Sequence, residues 1–299
     1  GSQAWRLTNV PTKMEVTDTI PFTGILHPQF NNSGDQILYA FTENPGTDVF
    51  GDWEIRIADF TAPPDATAEH EMAQIYEPGD KNNWYETHSW SPDDSTVYIS
   101  FSPNLQQDDL STDIGTLDLS SGAYENLTDS WQVEGEPWDG NSAWDEHAFI
   151  SKDGSKVIYI SSSGFPMSLD DETLRKGWRN WLITELWWMG PNGEGQERIS
   201  YFNDPTAPEF VGSSQKAVAS GLSWNPETTA FTCVLGIRHQ DPDTDETLAW
   251  DFDIKIVWLD LNQNGLRDAD ENQCGNGICE ADETADSCPR DCLIDHISI

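Results

Sequence analysis

The apolar positions of this 299-residue chain come in short runs, most showing period-two alternation and each bounded by a cluster of Asn, Asp, Gly, Pro or Ser. That spacing predicts β-strands with one face buried, punctuated by tight turns. Four segments repeat one grammar. An aromatic or apolar residue leads into a Ser-Pro-Asp-Gly-like turn. A β-branched strand follows, then another strand, then a polar turn and a short strand ending near Leu-Thr. The clearest copy runs from His88 to Ser102 (HSWSPDDSTVYISFS) and from Asp113 to Asp129 (DIGTLDLSSGAYENLTD). The others begin at His27, His147 and Gly221, so the units recur roughly every 60 residues.

Units of four short antiparallel strands at regular spacing predict an all-β fold of propeller blades. The repeat resembles that of TolB-type β-propellers across nearly all of residues 4–261, and this resemblance implies a fold and no particular activity. The fourth unit lacks an outer strand ending in Leu-Thr. Ala4 to Val10 (AWRLTNV) is such a strand without a unit before it, so it is expected to complete the last blade and close a four-bladed ring. A larger ring, or a fifth degenerate blade, is the alternative. The domains expected are a propeller over 1–261 and a small tail over 260–299.

The third unit carries an insertion from Ser168 to Trp181. Ser168 can cap a helix whose first turn holds Asp170, Asp171 and Glu172. Arg175, Lys176 and Arg179 would give that helix a basic face. It reads either as packing for Trp178 and Trp181 or as a lid that contacts an anion.

Composition changes the picture in one respect. There are 53 acidic side chains against 15 basic ones, a net charge of -38. Such a surface repels phosphate backbones, which excludes nucleic acid as a partner. It suits cations and a salty medium. No apolar run approaches the length needed to span a bilayer.

The tail holds two small devices. Asp260, Asn262, Asn264, the Leu266 carbonyl, Asp268 and Glu271 fall at the oxygen-donor positions of an EF-hand loop, with Gly265 at the sharp turn. Calcium is therefore the expected cofactor. The loop resembles those of bacterial surface and dockerin-like proteins, which implies a structural role. Cys274, Cys279, Cys288 and Cys292 follow within 19 residues. Two disulfides are expected, in any of three pairings, because the spacings do not match common zinc ribbons. The segment resembles a Cys-rich motif of secreted bacterial proteins. Oxidised cysteines place the protein outside the cytoplasm: extracellular, periplasmic or on the cell surface. Cys233 stands apart on a strand of the fourth unit and reads as a small buried hydrophobe.

Three of the six histidines mark one place in the repeat. His27 and His147 lie four residues before the turn and His88 lies three before it, at the starts of the innermost strands. Glu86 stands beside His88, and Asp145 and Glu146 beside His147. Imidazoles with carboxylates suit Zn, Mn or Fe. The resemblance to oligogalacturonate lyases, which share the repeat type, implies a His-ligated metal and proton abstraction from a uronate. Against that, a histidine here can simply bond the neighbouring blade. The one-residue offset of His88 is expected to turn its ring to the other strand face. No Gly-x-Ser-x-Gly elbow or phosphate-binding Gly loop is present. The sequence thus favours an exported, non-catalytic module that binds a protein or glycan over the alternative of a metal-dependent polysaccharide lyase or hydrolase.

Overall fold

A computed structural model describes residues 13–14, 22–42, 53–60, 73–76, 84–101, 112–128, 143–165, 182–241 and 247–258. Four sequence expectations lie outside the described residues: the Ala4–Val10 strand, the insertion with Arg175, Lys176 and Arg179, the calcium loop and the four clustered cysteines. The described residues are all-β, arranged in four antiparallel sheets. No helix among them is long and apolar enough to cross a membrane.

The chain divides into two compact units, Gly1–Ser200 and Tyr201–Ile299. The first unit holds three sheets. One is made of β1 (Lys13–Met14), β2 (Phe22–Phe30), β3 (Gln36–Thr42), β4 (Glu54–Asp59) and β5 (Gln74–Tyr76). The next is β6 (Tyr85–Trp90), β7 (Thr96–Phe101), β8 (Asp113–Asp118) and β9 (Tyr124–Asn126). The third is β10 (Asp145–Ile150), β11 (Val157–Ser161), β12 (Glu185–Met189) and β13 (Glu197–Arg198). Strands pair in chain order in every sheet. The second unit holds one sheet of β14 (Gln215–Trp224), β15 (Ala230–Gln240) and β16 (Thr247–Trp258). The two-residue strand β1, paired to the start of β2, is an addition the repeat did not predict.

The turn grammar is visible as hydrogen bonds. The side-chain oxygen of the residue that opens each turn accepts the backbone N–H donated from the start of the next strand. Asn31 accepts from Gln36, Ser91 from Thr96, Ser151 from Lys156 and Asn225 from Ala230. These local bonds explain why Asn and Ser open every turn.

The expected half-buried alternation fails for the strand that follows the Asn- or Ser-opened turn in each sheet of the first unit. In β3, β7 and β11 nearly every residue is buried on both faces. The reason is packing on both sides. Tyr98, Ala148, Val157 and Tyr159, with Met189, form one cluster between the β6–β9 and β10–β13 sheets, while Ile37, Tyr39, Phe41 and Ala58 form another. Strands covered on both faces read as continuous apolar runs, as ILYAF and VIYI do. In the second unit Cys233 is free and buried, as expected, and burial pushes its thiol up to about 12. Leu248, Phe252, Ile254 and Ile256 on β16 are exposed.

Candidate metal centre

One strand of each sheet, β2, β6, β10 and β14, carries a bulge at the same place in the repeat. Pairing slips between Leu26 and Gln29 in β2, between Thr87 and Ser89 in β6, between Glu146 and Phe149 in β10, and between Ser220 and Ser223 in β14. Each bulge inserts one unpaired residue and re-aims the side chains around it. His27, His88 and His147 sit in the first three bulges, and Gly221 in the fourth. His27, His147 and Gly221 have left-handed backbones, with φ of 49°, 59° and 57°.

This geometry corrects the expectation for His88. The ring does not turn away; it joins the other two. Ring centroids lie 5.7 Å apart for His27 and His88, 5.6 Å for His27 and His147, and 5.5 Å for His88 and His147. Strict alternation counts residues from the turn, and a bulge breaks that count. One ligand atom from each of the three histidines lies within 4.8 Å of the others. The same holds for Glu86, Glu146 and His147. Three adjacent sheets of one unit thus contribute three imidazoles and two carboxylates to one place.

Two contacts pair the acids with the imidazoles. His27 Nε2 lies 3.3 Å from Glu86 Oε2, and His147 Nε2 lies 3.7 Å from Glu146 Oε2. His88 is fully buried, and its Nε2 is 2.6 Å from Ser100 Oγ. The same nitrogen accepts from the His147 backbone N–H at 3.3 Å, so His88 also ties neighbouring sheets together. Its Nδ1 is buried without a hydrogen-bond partner among the described residues. Other bonds fix the three strands: Thr87 Oγ1 donates to the His27 carbonyl at 3.1 Å, and Ser89 Oγ to the Ala148 carbonyl at 3.0 Å.

Burial sets the protonation of the site. It lowers the pKa of His27. It lowers that of His88 well below the usual value, helped by the charges His147 and His27 would carry. Burial and then His27 push His147 down to about 3. The acids move the other way. Burial, then Glu146, raises Glu86 well above the carboxylate range. Burial pushes Glu146 up to about 7, with a hydrogen bond from the Trp144 side chain opposing it. Beside them, burial and then Asp113 push Asp145 up to about 8. Near neutral pH the imidazoles are neutral, the state in which they bind metals.

The fit to a metal is therefore chemical as well as geometric. Mixed imidazole and carboxylate donors suit Zn, Mn or Fe rather than calcium. The missed element was Ser100, which lies inside the apolar run VYISF of β7. A lone hydroxyl in a doubly buried strand is the signal that could have found it.

A left-handed backbone costs a residue with a Cβ roughly 1–2 kcal/mol, and glycine avoids that cost. His147→Gly is therefore expected to resist urea better than His147→Ala in the presence of a transition-metal chelator, by about 1 kcal/mol. Equal midpoints, or a more stable alanine variant, would show that this backbone stores no strain. Unfavourable backbone retained at two histidines that converge is a pointer to function.

No protein-family model matches the sequence, and no curated protein matches it. Among solved structures the chain is similar to a TolB-designated protein from Agrobacterium tumefaciens, with 14% identity and a TM-score of 0.38 over 80% of this chain and 91% of that one. It is also similar to an oligogalacturonate lyase in complex with manganese, with 12% identity and a TM-score of 0.37 over 75% of this chain and 52% of the lyase. A puromycin hydrolase gives 14% identity and a TM-score of 0.42 over 81% of this chain and 32% of the hydrolase. The chain thus spans about half of the lyase and a third of the hydrolase. At these identities and scores the likenesses assign neither a family nor an activity.

Proposed function

We propose that the protein is an exported, transition-metal-dependent lyase or hydrolase acting on a polysaccharide, with its reaction centre at His27, His88 and His147. The observation that carries this reading is the convergence of three imidazoles and two carboxylates from three separate sheets. It moves metal chemistry ahead of the non-catalytic binding module that the sequence favours. The four strand-ordered sheets with one turn grammar support the propeller reading of the fold.

In this reading the three histidines would hold the metal, which would supply Lewis-acid polarisation of a substrate oxygen. Glu86 and Glu146 serve as ligand and proton acceptor. Glu146, whose carboxylate lies 3.7 Å from His147 Nε2, is placed within reach of a substrate proton at the metal. The calcium loop and the disulfides read from the tail belong to the same proposal: they hold the chain end together outside the cytoplasm.

The test is turnover on a panel of uronate-containing and neutral polysaccharides, with calcium held in excess and Mn²⁺, Zn²⁺ or Fe²⁺ varied. Ultraviolet absorbance reports unsaturated lyase products, and new reducing ends report hydrolysis. Expected is turnover that needs the transition metal and that falls in Glu146→Gln. Stoichiometric metal binding without turnover on any member of the panel would return the protein to the binding-module reading.

A further inference from the structure

We infer that Ser100 is a positioning residue for the metal centre: it holds His88 Nε2, so that His88 offers Nδ1 as its donor atom. This rests on the proposed metal centre and goes beyond it by assigning the donor atom and its support.

Ser100 and His88 are both fully buried, on adjacent strands β7 and β6. Ser100 pairs with Glu86 in the register, two residues before His88. A neutral imidazole has one N–H and one lone pair. With the proton on Nε2, the N–H donates to Ser100 Oγ at 2.6 Å and the Nδ1 lone pair is left bare in a dry site. With the proton on Nδ1, a buried N–H goes unpaired, at a cost of roughly 1–3 kcal/mol. Neither tautomer satisfies Nδ1 from among the described residues. The first leaves it as a ready metal donor, and a cation on Nδ1 would select that tautomer, because only it frees the lone pair. The longer contact to the His147 N–H, at 3.3 Å, is the bond that tautomer gives up. An imidazole whose second nitrogen is tied down is the usual way a protein fixes ligand orientation, and losing such a support costs roughly 10–100-fold in metal affinity.

The experiment compares two isosteric variants, Ser100→Thr and Ser100→Val, which differ only in the hydroxyl, together with Ser100→Ala. Zn²⁺ affinity is measured by competition with a chromophoric chelator, and the Co²⁺-loaded protein is read by its visible spectrum. Expected are wild-type affinity and spectrum for Ser100→Thr. Ser100→Val and Ser100→Ala should bind Zn²⁺ about 10–100-fold more weakly and show an altered Co²⁺ spectrum. Nitrogen-15 chemical shifts of His88 in the Zn²⁺-loaded wild type should show a proton on Nε2. A proton on Nδ1, or equal affinity and spectra for Ser100→Thr and Ser100→Val, would overturn the assignment while leaving the metal centre standing. If the wild type binds neither metal, the centre itself is wrong.

Discussion

His27→Ala should abolish stoichiometric binding of Zn²⁺ or Mn²⁺ while leaving the fold in place. His27 is the cleanest of the three to remove, because its side chain is 30% exposed whereas His88 is fully buried. Truncating His88 would leave a cavity in the core and strand the buried Ser100 hydroxyl, so lost binding there would be confounded by lost stability. His27 supplies one of only three imidazoles. Its removal should weaken binding by more than about 100-fold, beyond the 10–100-fold typical of losing a supporting residue. Titration calorimetry with calcium in excess measures this, and circular dichroism checks the fold. Retention of tight, stoichiometric binding in His27→Ala would mean that the ion sits elsewhere.

The second large effect is on pH dependence. In the metal-free protein the acids and the imidazoles pull stability in opposite directions. Glu146 has a folded pKa of about 7 against an ordinary 4.5, so the folded state binds the extra proton. Its contribution is complete below 4.5 and is lost as pH rises through about 7. Glu86 moves in the same direction, and Asp145, at about 8, extends the loss further. His147 has a folded pKa of about 3 against 6.5, so its contribution is present above 6.5 and is lost as pH falls toward 3. The metal-free protein should therefore melt highest between about pH 4.5 and 6.5, and lower at pH 8. A bound dication neutralises the carboxylates, so the rise in melting temperature on adding Mn²⁺ should grow from pH 5 to pH 8. Glu86→Gln with Glu146→Gln removes the glutamates' share of the alkaline loss and leaves that of Asp145. That double variant should melt several degrees above the wild type at pH 8 in chelator, match it near pH 5, and gain less from Mn²⁺. A double variant that melts lower at pH 8 would show that these carboxyls are not a strained, charge-repelling pair.

Much of the fold was legible before any coordinates. The turn residues Asn31, Ser91, Ser151 and Asn225 announced their hydrogen bonds, because each is a side chain that competes for nearby backbone. The repeat put His27 and His147 at the starts of strands, whereas they lie inside β2 and β10, at the bulges. What could not be read was the consequence of the bulge. Counting from the turn sends His88 to the wrong face, since an inserted residue is invisible in a single strand and appears only in its pairing with Ile99 and Tyr98. The two-sided burial of β7 was missed for a related reason: alternation was expected, whereas VYISF is a nearly unbroken apolar run. Ser100, the residue that breaks it, faces the site. The meeting of Glu86 with Glu146 depends on two sheets packing together, which no local pattern encodes.

The most direct measurement is anomalous diffraction from crystals of the wild-type protein grown with Mn²⁺ and calcium. The metal centre predicts one manganese peak within bonding distance of imidazole nitrogens from His27, His88 and His147 together. No peak at that place, or a peak touched by carboxylates alone, would contradict it.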